Sequence, residues 1–148
     1  MKRSLQFALA IAFCLFFDSS PSIAKSGSQK QLVRLLSQQG FSGPLKGDVH
    51  LTELGSLVCG GNTYRVIYHE WHESSPPGEA IHASHHVVLL RDGTHYVGSY
   101  IVEERPVRMT SAAIVFDYPE NLGNTISCKD DRPANNVLLD GMNQALEQ

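Results

Sequence analysis

The sequence predicts an α+β fold: an N-terminal helix packed on a mainly antiparallel β-sheet, or on a small β-sandwich or barrel, with one disulfide. Three observations point to it. Leucines recur at helical spacing early in the chain, at Leu32, Leu35 and Leu36. From Thr63 onward the apolar segments are short, rich in β-branched and aromatic residues, and separated by glycine-bearing turns. No helical pattern intervenes between those segments, so there is no βαβ alternation. The 148 residues, 42% hydrophobic and 18% charged, exclude a solenoid, a collagen-like fibre and a wholly disordered chain. A formal net charge of −3 gives no electrostatic footprint for nucleic acid.

The first residues read as an export signal. Lys2 and Arg3 form a positive start, Leu5 to Phe17 form an apolar run, and Asp18 to Pro21 end it. Ser22-Ile23-Ala24 places small residues where a signal peptidase requires them, so residues 1–24 are expected to be a cleavable signal peptide and 25–148 a single globular domain. The run of about 13 residues falls short of the roughly 20 that a membrane-spanning helix needs, so no span remains after cleavage. Phe13 is too bulky to precede a lipidated Cys14. A periplasmic or secreted location follows. Loss of Lys2, Arg3 and Asp18 brings the net charge to −4, and loss of Cys14 leaves Cys59 and Cys128. Two thiols in an oxidising compartment are expected to form one disulfide, which in the chain-entropy model stabilises the fold by about 4 kcal/mol.

Within the mature chain, Ser28 and Gln31 fit a capping box, the three leucines share a face, and Gly40 followed by Phe41 supplies a left-handed stop. A helix over 29–39 is expected. Residues 42–48 read as loop, and 49–53 and 57–59 as two short strands. Gly60-Gly61 can turn the chain back into Tyr64-Arg65-Val66-Ile67-Tyr68, and Asp92-Gly93 joins His86–Leu90 to His95–Glu104. A further hairpin is expected from 112–118 and 125–129. Residues 137–146 read either as a last strand ending at Asp140-Gly141 or as a short helix. The expected core is Leu32, Leu35, Leu36, Val66, Ile67, Val88, Leu90, Val97, Ile101, Ile114, Phe116 and Ile126. Tyr96, Gly98 and Tyr100 alternate as if on one strand face, where sheet packing explains them better than a ligand platform.

All seven histidines lie beyond the signal, and five of them, His69, His72, His82, His85 and His86, fall within 18 residues. If 63–72 and 86–91 are antiparallel neighbours, the segment Ser74-Ser75-Pro76-Pro77-Gly78-Glu79 is the loop between them. Its base then gathers imidazoles with Glu70, Glu73 and Glu79. Imidazole binds zinc and copper well, so these five histidines are the candidate metal ligands. His69 and His72 lie on opposite faces of a strand, and one residue is missing from the helical two-histidine zinc motif. A site must therefore draw ligands from both sides of the loop, such as His72 with His82 or His85. The plain alternative is polar residues at strand ends, with the histidines charging together on mild acidification.

Enzyme signatures are sparse. There is no Gly-x-Ser-x-Gly elbow and no phosphate-cradling glycine loop. Ser84, His85 and Glu70 could form a nucleophilic constellation only by chance assembly, and Glu103-Glu104 and Asp130-Asp131 read as solvated edges. The primary functional expectation is a binding module without cofactor. Its proline-bearing loop, Ser74 to Glu79, would engage another exported or envelope protein, in the manner of small exported inhibitors and immunity-type proteins. The alternatives are a histidine-rich envelope protein holding Zn or Cu, and a small hydrolase using the His/Glu cluster.

Overall fold

The computed structural model describes residues 24–73, 76 and 82–148. The leader expected at residues 1–24 lies outside them, except that Ala24 opens the helix. Helix α1 spans Ala24–Gln38, beginning before the expected Gln29. Ser28 therefore lies inside the helix and caps nothing. Burial of Leu32 and Leu36 outweighs the weak helix propensity of the Gly- and Ser-bearing first turns. The stop is as expected. Gly40 has φ 82°, and the Phe41 amide donates back to the Leu36 carbonyl at 3.2 Å. Phe41 is thereby folded into the core.

Four antiparallel strands follow in meander order: β1 (Asp48–Cys59), β2 (Asn62–His72), β3 (Ala83–Arg91) and β4 (His95–Ile101). The two short strands expected within 48–59 are one continuous strand, bent where its register slips between Glu53 and Gly55. An extra residue at a β-bulge bends a strand without ending it, so the sequence reads as a break. Gly60 and Gly61 make the two-residue turn to β2 at φ 55° and 82°. Asp92 and Gly93, also left-handed, turn β3 into β4.

A second sheet runs β5 (Arg108–Met109), β6 (Ala113–Val115), β7 (Thr125–Lys129) and β8 (Arg132–Pro133). The ambiguous tail is a hairpin, β9 (Asn136–Leu139) and β10 (Met142–Ala145), turned at Asp140-Gly141. It ties the two sheets together. Ser99 and Glu147 exchange both backbone hydrogen bonds at 2.8 and 2.9 Å, and Asn124 bridges to Leu139. Cys59 at the end of β1 is bonded to Cys128 in β7, with Cα atoms 5.6 Å apart, so the expected disulfide joins the sheets.

The strands β2 and β3 are buried on both faces. Toward the second sheet, Leu57, Val66, Tyr68, Val87, Leu89 and Tyr100 pack with Ile114, Phe116 and Ile126. On the opposite face, Ile67, Val88 and Leu90 share a buried cluster with Leu32, Leu36 and Phe41. We call these the inner and outer faces. The unbroken run Val87-Val88-Leu89-Leu90 is fully buried, the signature of a strand covered on both sides. Leu35 and Val97 pack only partly buried, and Ile101, expected in the core, is exposed at a strand end. A register slip between Leu89 and Leu90 also separates Tyr96, which packs with the outer cluster, from Tyr100 in the inner one. The expected one-face alternation of the two tyrosines does not occur.

Candidate metal centre

The strands β2 and β3 pair as anticipated, and the Glu73 amide donates to the His82 carbonyl at 2.8 Å, closing the base of their connection. Of the expected binding loop, Ser74, Ser75, Pro77, Gly78 and Glu79 lie outside the described residues, and Pro76 is exposed.

Side-chain alternation sorts the histidines into two groups. His69 pairs with His86 across the strands, and both point to the outer face. His69 is fully buried and His86 nearly so. His69 Nε2 lies 2.6 Å from the Pro44 carbonyl, an acceptor only, so Nε2 carries the proton and Nδ1 is an acceptor. His86 Nδ1, 3.3 Å away, then donates to it. The Phe41 ring stands edge-on to both imidazoles, at centroid distances of 5.0 and 5.3 Å. Burial pushes both histidines below the ordinary imidazole value. For His86 the neighbouring imidazoles add to the effect and bring its pKa down to about 4. Through the Pro44 bond and the Phe41 contacts, these two side chains clip the 41–44 segment onto the sheet. They point away from Glu70, His72 and His85, so of the five candidate histidines the structure gathers only His72 and His85 into one cluster of ligand atoms. His82 is exposed at the loop base and lies outside the cluster of ligand atoms found among the described residues.

On the inner face, one residue along, lie Glu70, His72 and His85. Glu70 and His72 are two apart on β2, and His85 is the cross-strand partner of Glu70. One ligand atom from each lies within 4.8 Å of the others, and all three residues are half-buried. His72 Nε2 is 3.4 Å from Glu70 Oε1. That matches the roughly 3.4 Å between neighbouring ligand atoms in a tetrahedron with bonds of about 2.0–2.1 Å. His85 Nδ1 lies 3.0 Å from the Glu103 carbonyl and must donate to it. Its Nε2 therefore carries a lone pair, and that atom is buried without a hydrogen-bond partner. A second nitrogen tied to a backbone carbonyl is the usual orientation of a metal-binding imidazole.

Tyr68 and Arg105 floor the site. The Tyr68 ring sits 5.8 Å from His85 and 5.8 Å from the Arg105 guanidinium carbon. Burial, reinforced by the Glu70 charge, pushes the Tyr68 hydroxyl up to about 12, so it stays protonated. Ser84 points to the outer face, with its hydroxyl 3.4 Å from His86, so the constellation of Ser84, His85 and Glu70 does not assemble. The sequence places Glu70 near the histidines without marking it as a ligand. Period-two alternation from His72, combined with the β2–β3 register, is the signal that selects it. No family model matches the chain, and neither the curated proteins nor the solved structures gave a match.

Proposed function

We propose that this is an exported metal-binding protein that takes Zn²⁺ or Cu²⁺ at Glu70, His72 and His85. The observation that carries the reading is the gathering of a ligand atom from each of Glu70, His72 and His85 within 4.8 Å of one another, where His85 also has a buried, unpartnered Nε2. A buried acceptor left without a donor is unfavourable by about 1–3 kcal/mol, and a cation in that position relieves the penalty. Two imidazoles and one carboxylate form a borderline-soft donor set suited to zinc and copper. The site stands at the loop end of a rigid pair of strands, so its ligands need little reorganisation. Residues 25–148 are read as one exported domain in the periplasm or outside the cell, where the disulfide is stable.

Equilibrium dialysis against Zn²⁺ and Cu²⁺ at neutral pH tests the assignment. About one equivalent retained by the wild type, and lost in Glu70→Gln and His72→Ala, is the expected result; no retention by the wild type overturns it.

A second reading keeps the loop of residues 74–81 as a contact for another exported protein. The hydrogen bond between Glu73 and His82 favours it, because a clamped base presents the loop from a fixed frame. Deletion of residues 74–81 that leaves capture of an envelope partner unchanged would rule that reading out.

A further inference from the structure

The inner-face row does not end at Glu70. Strand β1 pairs with β2 so that Asp48 stands opposite His72 and His50 stands opposite Glu70. Directly paired residues project to the same face of a sheet, so His50, Glu70 and His85 form a line across three adjacent strands, with His72 and Asp48 beside it. Asp48 is shared: one carboxylate oxygen holds His50 Nε2 at 3.0 Å, and the other lies 3.9 Å from His72 Nδ1. The first contact parks His50 beside the cluster. The second places a carboxylate behind the ring nitrogen of His72 that does not face Glu70.

The geometry points to His50 as a fourth protein ligand that leaves Asp48 and closes over the metal. Three considerations support it. Its strand flanks β2 at about 4.8 Å, as does that of His85 on the other side, so the two imidazoles arise at similar backbone distances from Glu70. The His50 side chain is 59% exposed, so the ring is free to rotate without displacing core residues. Asp48 loses nothing buried when His50 departs, because it is itself 57% exposed and keeps His72 as a neighbour. After the transfer, Asp48 serves His72 as the Glu103 carbonyl serves His85, orienting the ring and raising its basicity.

The consequence is functional. Three protein ligands leave a coordination position for water, as in hydrolytic sites, whereas four protein ligands enclose the ion. Closure by His50 makes the ion a held cargo instead of a Lewis acid with a reactive water. This inference rests on metal binding at Glu70, His72 and His85, and adds that the resting His50–Asp48 pair is exchanged for a His50–metal bond. No proton or electron transfer is required beyond release of the hydrogen bond to Asp48 and of any proton on the coordinating nitrogen.

Electron paramagnetic resonance of the Cu²⁺-loaded protein tests it, because hyperfine coupling counts coordinated imidazole nitrogens. The wild type is expected to show three and His50→Ala two, with free imidazole restoring the third. The accompanying loss of affinity in His50→Ala should exceed the roughly tenfold minimum typical of a change outside the ligand sphere. Two imidazoles in both proteins, with equal affinity, would overturn the role of His50 while leaving the three-residue site intact. A wild type that binds no copper and no zinc would overturn the site itself, and this inference with it.

Discussion

Glu70 and His85 on one face of the β2–β3 ladder, and His69 and His86 on the other, differ by a single residue along each strand yet stand in different environments. The outer pair is buried, hydrogen-bonded from Pro44 through His69 to His86, and covered by Phe41. The inner pair is half-buried and leaves an imidazole lone pair unused. His69, with both nitrogens engaged within the protein, serves as structure, and His86 is tied to it through Nδ1. His85 has spent a single nitrogen, on a carbonyl, which orients the ring and leaves its other nitrogen without a hydrogen-bond partner. The proximity of the histidines in the sequence conceals this division, because they cluster along the chain while alternation distributes them between two environments.

The largest expected effect falls on the outer face. Phe41→Ala removes the ring that covers both buried imidazoles and should lower unfolding free energy by about 3–5 kcal/mol in urea titrations. Zinc stoichiometry per folded molecule should be preserved, and its loss would show that the faces are coupled.

Acidification should act on the same side. The His86 pKa is lower in the folded chain, about 4, than the unfolded value of 6.5, so the unfolded state binds more protons between those limits. Stability is fully present above pH 6.5 and declines as pH falls toward 4, by on the order of 3 kcal/mol for His86 alone. His69 contributes with the same sign. Denaturant midpoints measured in steps across that range check this, and a flat profile would contradict the buried-pair description.

A smaller effect comes from Gly43, whose backbone needs no left-handed angle but whose added Cβ would lie 2.3 and 2.6 Å from Phe41 ring carbons. Gly43→Ala should therefore cost about 1–3 kcal/mol through displacement of that ring. An unchanged melting temperature would indicate that the 41–44 clip is looser than described. The smallest change in stability belongs to the inner face. Glu70→Gln should alter unfolding free energy by less than about 1 kcal/mol while weakening metal binding, since the side chain is partly exposed.

Much of the fold was legible because local chemistry determined it. Gly40 and Phe41 end the helix, Gly60-Gly61 and Asp92-Gly93 turn hairpins, and two cysteines form the staple. Other features depend on partners distant in sequence. The bulge at Leu54 and the register slip near Val97 are set by pairing, and no residue pattern announced them. Asp130 and Asp131 read as a charged edge but make a left-handed two-residue turn between β7 and β8, at φ 50° and 61°, a conformation that Asp tolerates better than most residues. The candidate site was half legible for the same reason. His72 and His85 stood among the expected ligands, whereas Glu70 and His50 acquire their places only from strand register.

Zinc calorimetry on three proteins, the wild type, His85→Ala and His86→Leu, addresses the central claim most directly, because it alters adjacent residues that face opposite ways. The account predicts one equivalent bound by the wild type and by the folded fraction of His86→Leu, and none by His85→Ala. Equal binding by all three, or loss in His86→Leu with retention in His85→Ala, would contradict it.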